Sequence, residues 1–402
     1  MTSESWTGRV LELEVGDVAH GGHCVARSDG RVVFVRHALP GERVRAEVTE
    51  DKGGSFCRAD ATEVLSASPK RVEPPCEYAV PKGCGGCDWQ HAAPELQREL
   101  KGRVVAEQFF RLAGIELNVD VEPLPGDVAA WRSRTRLVAG HDGIAGFRAH
   151  RSHRVIPVSH CEIAPSDALE DVVARRWRPG AEIEITKDDE ARIHVRELNV
   201  VRRERKARQL QGGRAIQHAA GRDWRFSAHG FWQGHPAAAD AFAAAVAKWA
   251  HASSGATAWD LYAGVGLFAA VLAEQVGRQG QVVAVESDRQ AVKDGLVNVA
   301  DMPQVGWVTG RVEKALRKLA DRPEVVVLDP PRKGAGADVV GTIAAARPSR
   351  VVYVACDPAS LARDVATFRG HGFSLRNLRA FDAFPMTHHV ECIALLIADG
   401  PG

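Results

Sequence analysis

The amino-acid sequence, 402 residues long, predicts an α/β protein in which a doubly wound, mostly parallel sheet follows a small antiparallel β-barrel and a small central α+β unit. Three observations predict this. From about residue 230, the apolar runs ATAWDL, QVVAV, EVVVL, RVVYVA and HVECIALLI are separated by glycine turns and, for the most part, helix-compatible stretches, the pattern of strands buried on both faces by crossover helices. Residues 9–65 instead carry short alternating runs, RVLELEV, RVVFVRHAL and ERVRAEV, punctuated by Gly21, Gly22, Gly30, Pro40 and Gly41, as a tightly turned barrel requires. Between them, residues 67–229 mix a helical segment at 94–112, arginine-rich strands and closely spaced cysteines.

A chain of this length has material for two or three cores. Lys and Arg number 52 against 51 Asp and Glu, a formal net charge of +1, so contact with a polyanion has to come from a local basic surface and not from the bulk field. No run approaches the ~18 apolar residues of a membrane span, and the opening MTSESWTGRV has neither a charged leader nor an apolar core, which predicts a cytoplasmic protein. In a reducing compartment, eight cysteines with one tight C-x-x-C pair point to metal or redox chemistry before disulfides.

The barrel has the strand spacing of an OB-type module, a fold that carries oligonucleotides as readily as it serves as a scaffold, and both readings stand for it. In the middle unit, WRSRTRL at 131–137 places Arg132, Arg134 and Arg136 on one face of a strand, a row able to track phosphates. RRERKAR at 202–208 is a second basic cluster, of a kind that more often forms a solvated face. Cys76, Cys84 and Cys87 are spaced C-x7-C-x2-C, and Cys161 in SHCEIAP is a candidate fourth ligand. One close pair plus isolated cysteines suits an iron–sulfur cluster better than zinc, whose ribbons show two pairs; zinc and no metal are the alternatives. Cys24, Cys57 and Cys392 read as packing or surface thiols.

In the α/β region, DLYAGVGLF at 260–268 ends the first strand in a turn where Gly264 and Gly266 admit close approach of a ligand. Ala269 replaces the third glycine of the dinucleotide fingerprint, but Glu286 ends the next strand twenty positions past Gly266, where an acidic side chain takes ribose hydroxyls. NAD and S-adenosylmethionine both satisfy that contact. VVVLDPPRKG at 325–334 then sets Asp329 at a strand end beside Arg332; amine methylases of similar fold carry Asn-Pro-Pro-aromatic there, so Asp-Pro-Pro-Arg indicates another target atom. One strand later, VVYVACDPASLARD puts Cys356 at the strand–helix junction, with Asp357 as N-cap and Pro358 as first helical residue. Unpaired N–H groups there favour thiolate over thiol; the competing reading is a buried small hydrophobe. A nucleophilic cysteine supplies what uracil C5 lacks, since that carbon is a poor nucleophile until something adds at C6.

These segments resemble the RNA 5-methyluridine methyltransferases, an S-adenosylmethionine-dependent family acting on uridines of ribosomal or transfer RNA. The resemblance runs over nearly the whole length, on GERV and the FV strand (similar to a TRAM module), CGGCDWQH at 84–91, FWQ at 231–233, DLYAGVG, LDPPR, ACDPASLARD and PMTHHVECIALL at 385–396. It implies a Rossmann-like class I methyltransferase domain (94–123 and 230–402), an OB-like TRAM barrel binding RNA (1–66) and a cluster-binding central domain (67–93 and 124–229). Carried over by position, it makes Cys356 the nucleophile and Glu391 the general base. It makes Gln233, Tyr262, Glu286 and Asp329 the cofactor pocket, and Cys76, Cys84, Cys87 and Cys161 the ligands of a 4Fe–4S cluster. The implied partner is RNA; neither a membrane nor an obligate protein partner is implied.

The chain departs from the family at His235 and Leu267, where Asn is frequent, and at Ala355 and Asp357, where Ser and Asn usually flank the nucleophile. A carboxylate at 357 opposes the thiolate that the helix end favours. These departures keep a second function class open, a non-catalytic RNA-binding or iron–sulfur protein on a decayed scaffold. Of the adjacent His388 and His389, strand geometry lets at most one face a pocket, in an orienting role and not as the base.

Overall fold

A computed structural model describes residues 5–201, 204–319 and 322–400. The first six strands are β1 (Val10–Glu14), β2 (Val18–Ala19), β3 (His23–Ser28), β4 (Arg31–Arg36), β5 (Arg43–Glu50) and β6 (Phe56–Ser66). They form one sheet in the order β1-β5-β6-β4-β3-β2. Alternating burial along β1 and β5 turns Leu11, Leu13, Val44, Ala46 and Val48 inward with Val33, Val35 and Trp6, and Gly16 N donating to Val25 O at 2.7 Å curls the sheet toward closure. One pairing departs from the antiparallel expectation: β4 and β6 run parallel.

Helix α1 (Pro94–Ala113) follows, started by Pro94 and stopped by Gly114 in the left-handed region (φ 63°); β7 is Val121–Pro123. The central unit contains β8 (Arg134–Ala139), β9 (Ala145–Arg148), β10 (Val155–Pro157), α2 (Ser166–Val173), β11 (Glu182–Lys187), β12 (Ile193–Val201) and β13 (Glu204–Gln211). Its strands form an antiparallel sheet ordered β10-β9-β8-β11-β12-β13. A hairpin of β14 (Arg214–Ala219) and β15 (Arg222–Ser227) leads into the last unit.

That unit comprises α3 (Ala238–Ala250), β16 (Thr257–Leu261), α4 (Leu267–Val276), β17 (Gln281–Glu286), α5 (Arg289–Asn298), β18 (Val305–Thr309) and α6 (Val312–Ala315). It continues with β19 (Val325–Leu328), α7 (Ala337–Ala346), β20 (Arg350–Ala355), α8 (Pro358–Gly370), β21 (Phe373–Asp382) and β22 (Glu391–Ala398). The eight strands are ordered β18-β17-β16-β19-β20-β22-β21-β7. The last strand runs antiparallel to both neighbours, as its short connection predicts. Helices α3 and α4 cover one face of the sheet, and α1, α7 and α8 the other, so Val325–Leu328 and Val351–Val354 are fully buried. Two strands escape the sequence reading: β18, broken by Gly306, and β21, whose SLRNLR is polar in the manner of a loop. Although α1 and β7 are embedded in sequence among central-unit residues, α1 packs on α8 and β7 pairs with β21 at the sheet's edge.

Candidate active site

The carboxyl ends of β16, β17, β19 and β20 open into a cleft of about 1830 Å³, its mouth included, where a doubly wound sheet keeps its ligands. Cys356, Glu391, Asp329, Glu286, Tyr262 and Gln233 all line it, which brings the six residues expected at the reaction and cofactor sites to one surface. Arg332 and His389 complete the wall at the Cys356 end, and Arg196, His229 and Phe231 reach the cleft from the central sheet and from the stretch after the hairpin. Arg196 and His229 lie outside any local motif, whereas Phe231 opens the FWQ segment, and the place of all three depends on how the units meet.

At the β16 turn, Gly264 has φ 56° and donates its N–H to Glu286 at 3.0 Å. A Cβ added there would meet nothing within 4 Å, so this backbone presents a bare cradle to the cleft. The second Glu286 oxygen accepts from the Asp288 amide at 2.7 Å, and a carboxylate bound in this way keeps lone pairs for further donors. Gly266 has φ 98°, and an added Cβ would lie 3.2 Å from the Trp307 ring, so this glycine serves the packing of α4. Leu267 is buried at the start of α4, and His235 is buried against Trp131 with ring centroids 6.0 Å apart. Neither departure lines the cleft.

Cys356 follows β20, and Asp357 caps α8 by accepting from Ser360 N at 2.7 Å, with Pro358 as first helical residue. The thiolate expectation is overturned: the Cys356 thiol is pushed up to about 12, first by burial and then by Glu391 and Asp329, against which Arg332 is the opposing charge. Two carboxyls sharing a dry wall outweigh a helix end. Burial and their mutual repulsion likewise raise the Glu391 carboxyl well above the usual carboxylate range, and burial raises that of Asp329. His389 lines the cleft, while His388 turns away and donates from Nδ1 to Asp88 at 2.6 Å. Burial, His388 and Arg332 hold the His389 imidazole down to about 3, so it stays neutral, with Arg332 beside its Nε2 at 3.4 Å.

The segment carrying these groups is braced from residues with no motif of their own. Lys101 of α1, fully buried, donates to Asp382 at 2.5 Å and to Phe384 O at 3.0 Å. Gln97, one turn earlier, accepts from Met386 N at 2.8 Å and donates to Ala92 O at 2.9 Å. Asp364 anchors the Asp-Pro-Pro loop through Tyr353 OH at 2.6 Å and Ala335 N at 2.8 Å.

Cys76, Cys84, Cys87 and Cys161 line a separate pocket of about 390 Å³, its mouth included, with Tyr78, Phe147, Val158 and Ile163. Burial, followed in part by neighbouring thiols, raises the Cys84 thiol to about 11 and the Cys87 thiol to about 12. Among the described residues no three His, Cys, Asp or Glu side chains converge as one metal ion requires. The four cysteines share this wall with Gln90, Arg132 and His160, and the expected iron–sulfur cluster and the zinc alternative both lack that convergence here. Cys24, Cys57 and Cys392 are buried, as packing thiols are.

The arginine row does not form. Arg134 is half-buried, its guanidinium donating to Ala228 O at 2.8 Å and to Gly230 O, and Arg136 pairs with Glu182 and Glu184. Main-chain carbonyls of the adjoining segment win that side chain from solvent. Arg202 and Arg203 of the second basic cluster lie outside the described residues. Basic side chains gather instead in a groove of about 890 Å³, its mouth included, between barrel and central unit, where Arg36, Arg58, Lys82, Arg151 and Arg154 outnumber Glu50 and Asp60, although Arg36, Arg58, Lys82 and Arg151 are ion-paired with nearby carboxylates. Among the described residues no helix is long and apolar enough to cross a membrane.

Comparison with known proteins bears on both ends of the chain. Residues 4–61 match the TRAM domain, and residues 316–399 match the tRNA (Uracil-5-)-methyltransferase family. A Streptomyces avermitilis protein named an uncharacterized RNA methyltransferase is 45% identical over 97% of this chain and 98% of its own length. A protein of the same name from Corynebacterium glutamicum is 37% identical, over 98% of each chain. Among solved structures, the Pyrococcus abyssi tRNA (uracil-54, C5)-methyltransferase in complex with S-adenosyl-L-homocysteine shares the fold, with a TM-score of 0.73 at 20% identity, covering 96% of this chain and 100% of that one.

Proposed function

Because the chain belongs to the RNA methyltransferases that carry a TRAM domain, we propose that it methylates C5 of a uridine in ribosomal or transfer RNA, with S-adenosylmethionine as donor. One observation carries this reading: Cys356 and Glu391 face the same cleft as the Gly264–Glu286 cradle. Glu286 would bind the donor's ribose hydroxyls, while Tyr262, Gln233 and Asp329 would hold the rest of it. Bound there, S-adenosylmethionine supplies an electrophilic methyl group.

The target uridine leaves its stack to enter the cleft, as base-modifying enzymes require. Cys356, once ionised, adds to C6 and raises electron density at C5. After C5 is methylated, Glu391 takes the C5 proton, and elimination of the thiolate restores the aromatic ring. A carboxyl whose hold on a proton is strengthened by burial and by Asp329 suits a group that must accept a proton in the reaction. Arg332 offsets negative charge on this wall. The barrel and its basic groove would track the RNA backbone, and the four cavity cysteines would hold a 4Fe–4S cluster with a structural role. The non-catalytic alternative is not favoured, since none of the departing residues blocks the cleft.

The test is Cys356→Ala with RNA carrying 5-fluorouridine. The parent protein is expected to form a covalent adduct and the variant none. Mass-spectrometric mapping of 5-methyluridine in a deletion strain and its parent identifies the site, and full turnover by Cys356→Ala would overturn the reading.

A further inference from the structure

The barrel reaches the reaction site directly. Its turn between β2 and β3 sets His20 Nε2 3.0 Å from Asp357 Oδ2, across 337 residues of sequence, so the imidazole donates to the carboxylate next to Cys356. Two positions on, Gly22 (φ 81°) lies so close to the segment before β22 that an added Cβ would sit 2.8 Å from His388 Cβ. The Gly22 carbonyl accepts from Trp89 Nε1 at 3.1 Å, which ties the same turn to the cysteine-bearing segment. One barrel loop therefore touches the helix that follows the nucleophile and the segment that carries the base.

Asp357 poses an electrostatic problem that His20 answers. The ionisable groups facing Cys356 are Glu391, Asp329, Asp357 and Arg332, three carboxyls to one guanidinium. Neutral His389 shares the wall. Asp357 cannot be relieved by protonation, because its capping bond to Ser360 and its bond to His20 hold its carboxyl down to about 2 against the opposing effect of burial. We propose that His20 is a positioning residue for Cys356: from the barrel it engages the Asp357 carboxylate by a hydrogen bond and holds it in place, so that barrel docking sets the readiness of the nucleophile. This deepens the assignment of Cys356 and rests on it.

The test is a double-mutant cycle of His20→Gln and Asp357→Asn, in the full chain, read by site-resolved alkylation of Cys356 with iodoacetamide across pH. Both substitutions suit their sites: His20 is exposed, and Asn caps helices as well as Asp. His20→Gln is expected to slow alkylation at neutral pH by about three- to tenfold and to move its pH profile upward. Asp357→Asn is expected to speed it, and His20→Gln to add nothing in the Asn background. An equal loss in both backgrounds, or no loss in either, overturns the proposal, since a packing role would move neither the profile nor the coupling. Alkylation needs no RNA. A parent protein that shows this coupling but leaves 5-fluorouridine RNA untrapped refutes the proposed function and not the coupling.

Discussion

The resting state of Cys356 sets two physical effects against each other. Helix α8 presents its N-terminus to the thiol, whereas burial, Glu391 and Asp329 push the thiol from 9.0 up to about 12. A rise of that size lowers the thiolate fraction at neutral pH about a thousandfold, and the greater basicity of the remaining thiolate, with a Brønsted slope of about 0.4–0.5, restores about 16- to 30-fold. Cys356 is therefore expected to react with iodoacetamide about 30- to 60-fold more slowly than an unperturbed thiol. The perturbation is pH, and the rate is expected to climb about tenfold per unit past pH 9 without a plateau. Trypsin releases residues 351–363 as a peptide whose one cysteine is Cys356, so mass spectrometry reads this thiol alone. A rate that levels off below pH 8, or exceeds that of free cysteine, would refute the claim that carboxylates and burial dominate.

Glu391→Gln is expected to permit trapping of unmodified target RNA but stall release, so that a methylated covalent adduct accumulates in denaturing gels; normal turnover would contradict the base assignment. Gly264→Ala adds a methyl group to the open cradle, with an expected drop of at least about tenfold in S-adenosylmethionine affinity by calorimetry and a stability cost of only about 1 kcal/mol for the left-handed backbone. Lys101→Met strands the buried Asp382 carboxylate, for an expected loss of about 3–5 kcal/mol in urea unfolding. Burial depresses His23 and His91 to about 4 and His37 to about 3, below the value of ~6.5 for an unfolded chain. Their contribution is complete above pH ~6.5 and is lost as pH falls toward 4, with a limiting slope of about 4 kcal/mol per unit; a stability curve flat over that window would contradict it. Anaerobically purified protein is expected to be brown with stoichiometric iron and sulfide, and stoichiometric zinc without iron would refute the cluster.

Much of the site was legible because doubly wound sheets bring their strand ends together. Residues that end separate apolar runs, Glu286, Asp329 and Cys356, must share one edge whatever the loops do, and the cleft gathers them there. Legibility ended where contacts depend on long-range docking. Nothing near Lys101 announces that it meets Asp382, 281 residues away, and nothing near His20 announces Asp357. The arginine row failed for a related reason: the two-residue period gave a shared face but not what packs on it, and Arg134 found carbonyls of the segment after the hairpin. β21 was missed because its neighbours β22 and β7, not its own polar run, make it a strand.

The order β20-β22-β21-β7 has a consequence for biosynthesis. Strand β22 is inserted between two strands made earlier, and the helix at 94–113 waits for a partner at 358–370, with Arg369 reaching back 256 residues to Ala113. Closure of such distant contacts is slow and cannot begin before α8 and β22 have been made. The edge of β20 and the apolar face of α1 therefore stay uncovered until β22 and α8 have been made, so that loss of β22 is a lesion of the whole sheet and not of its margin.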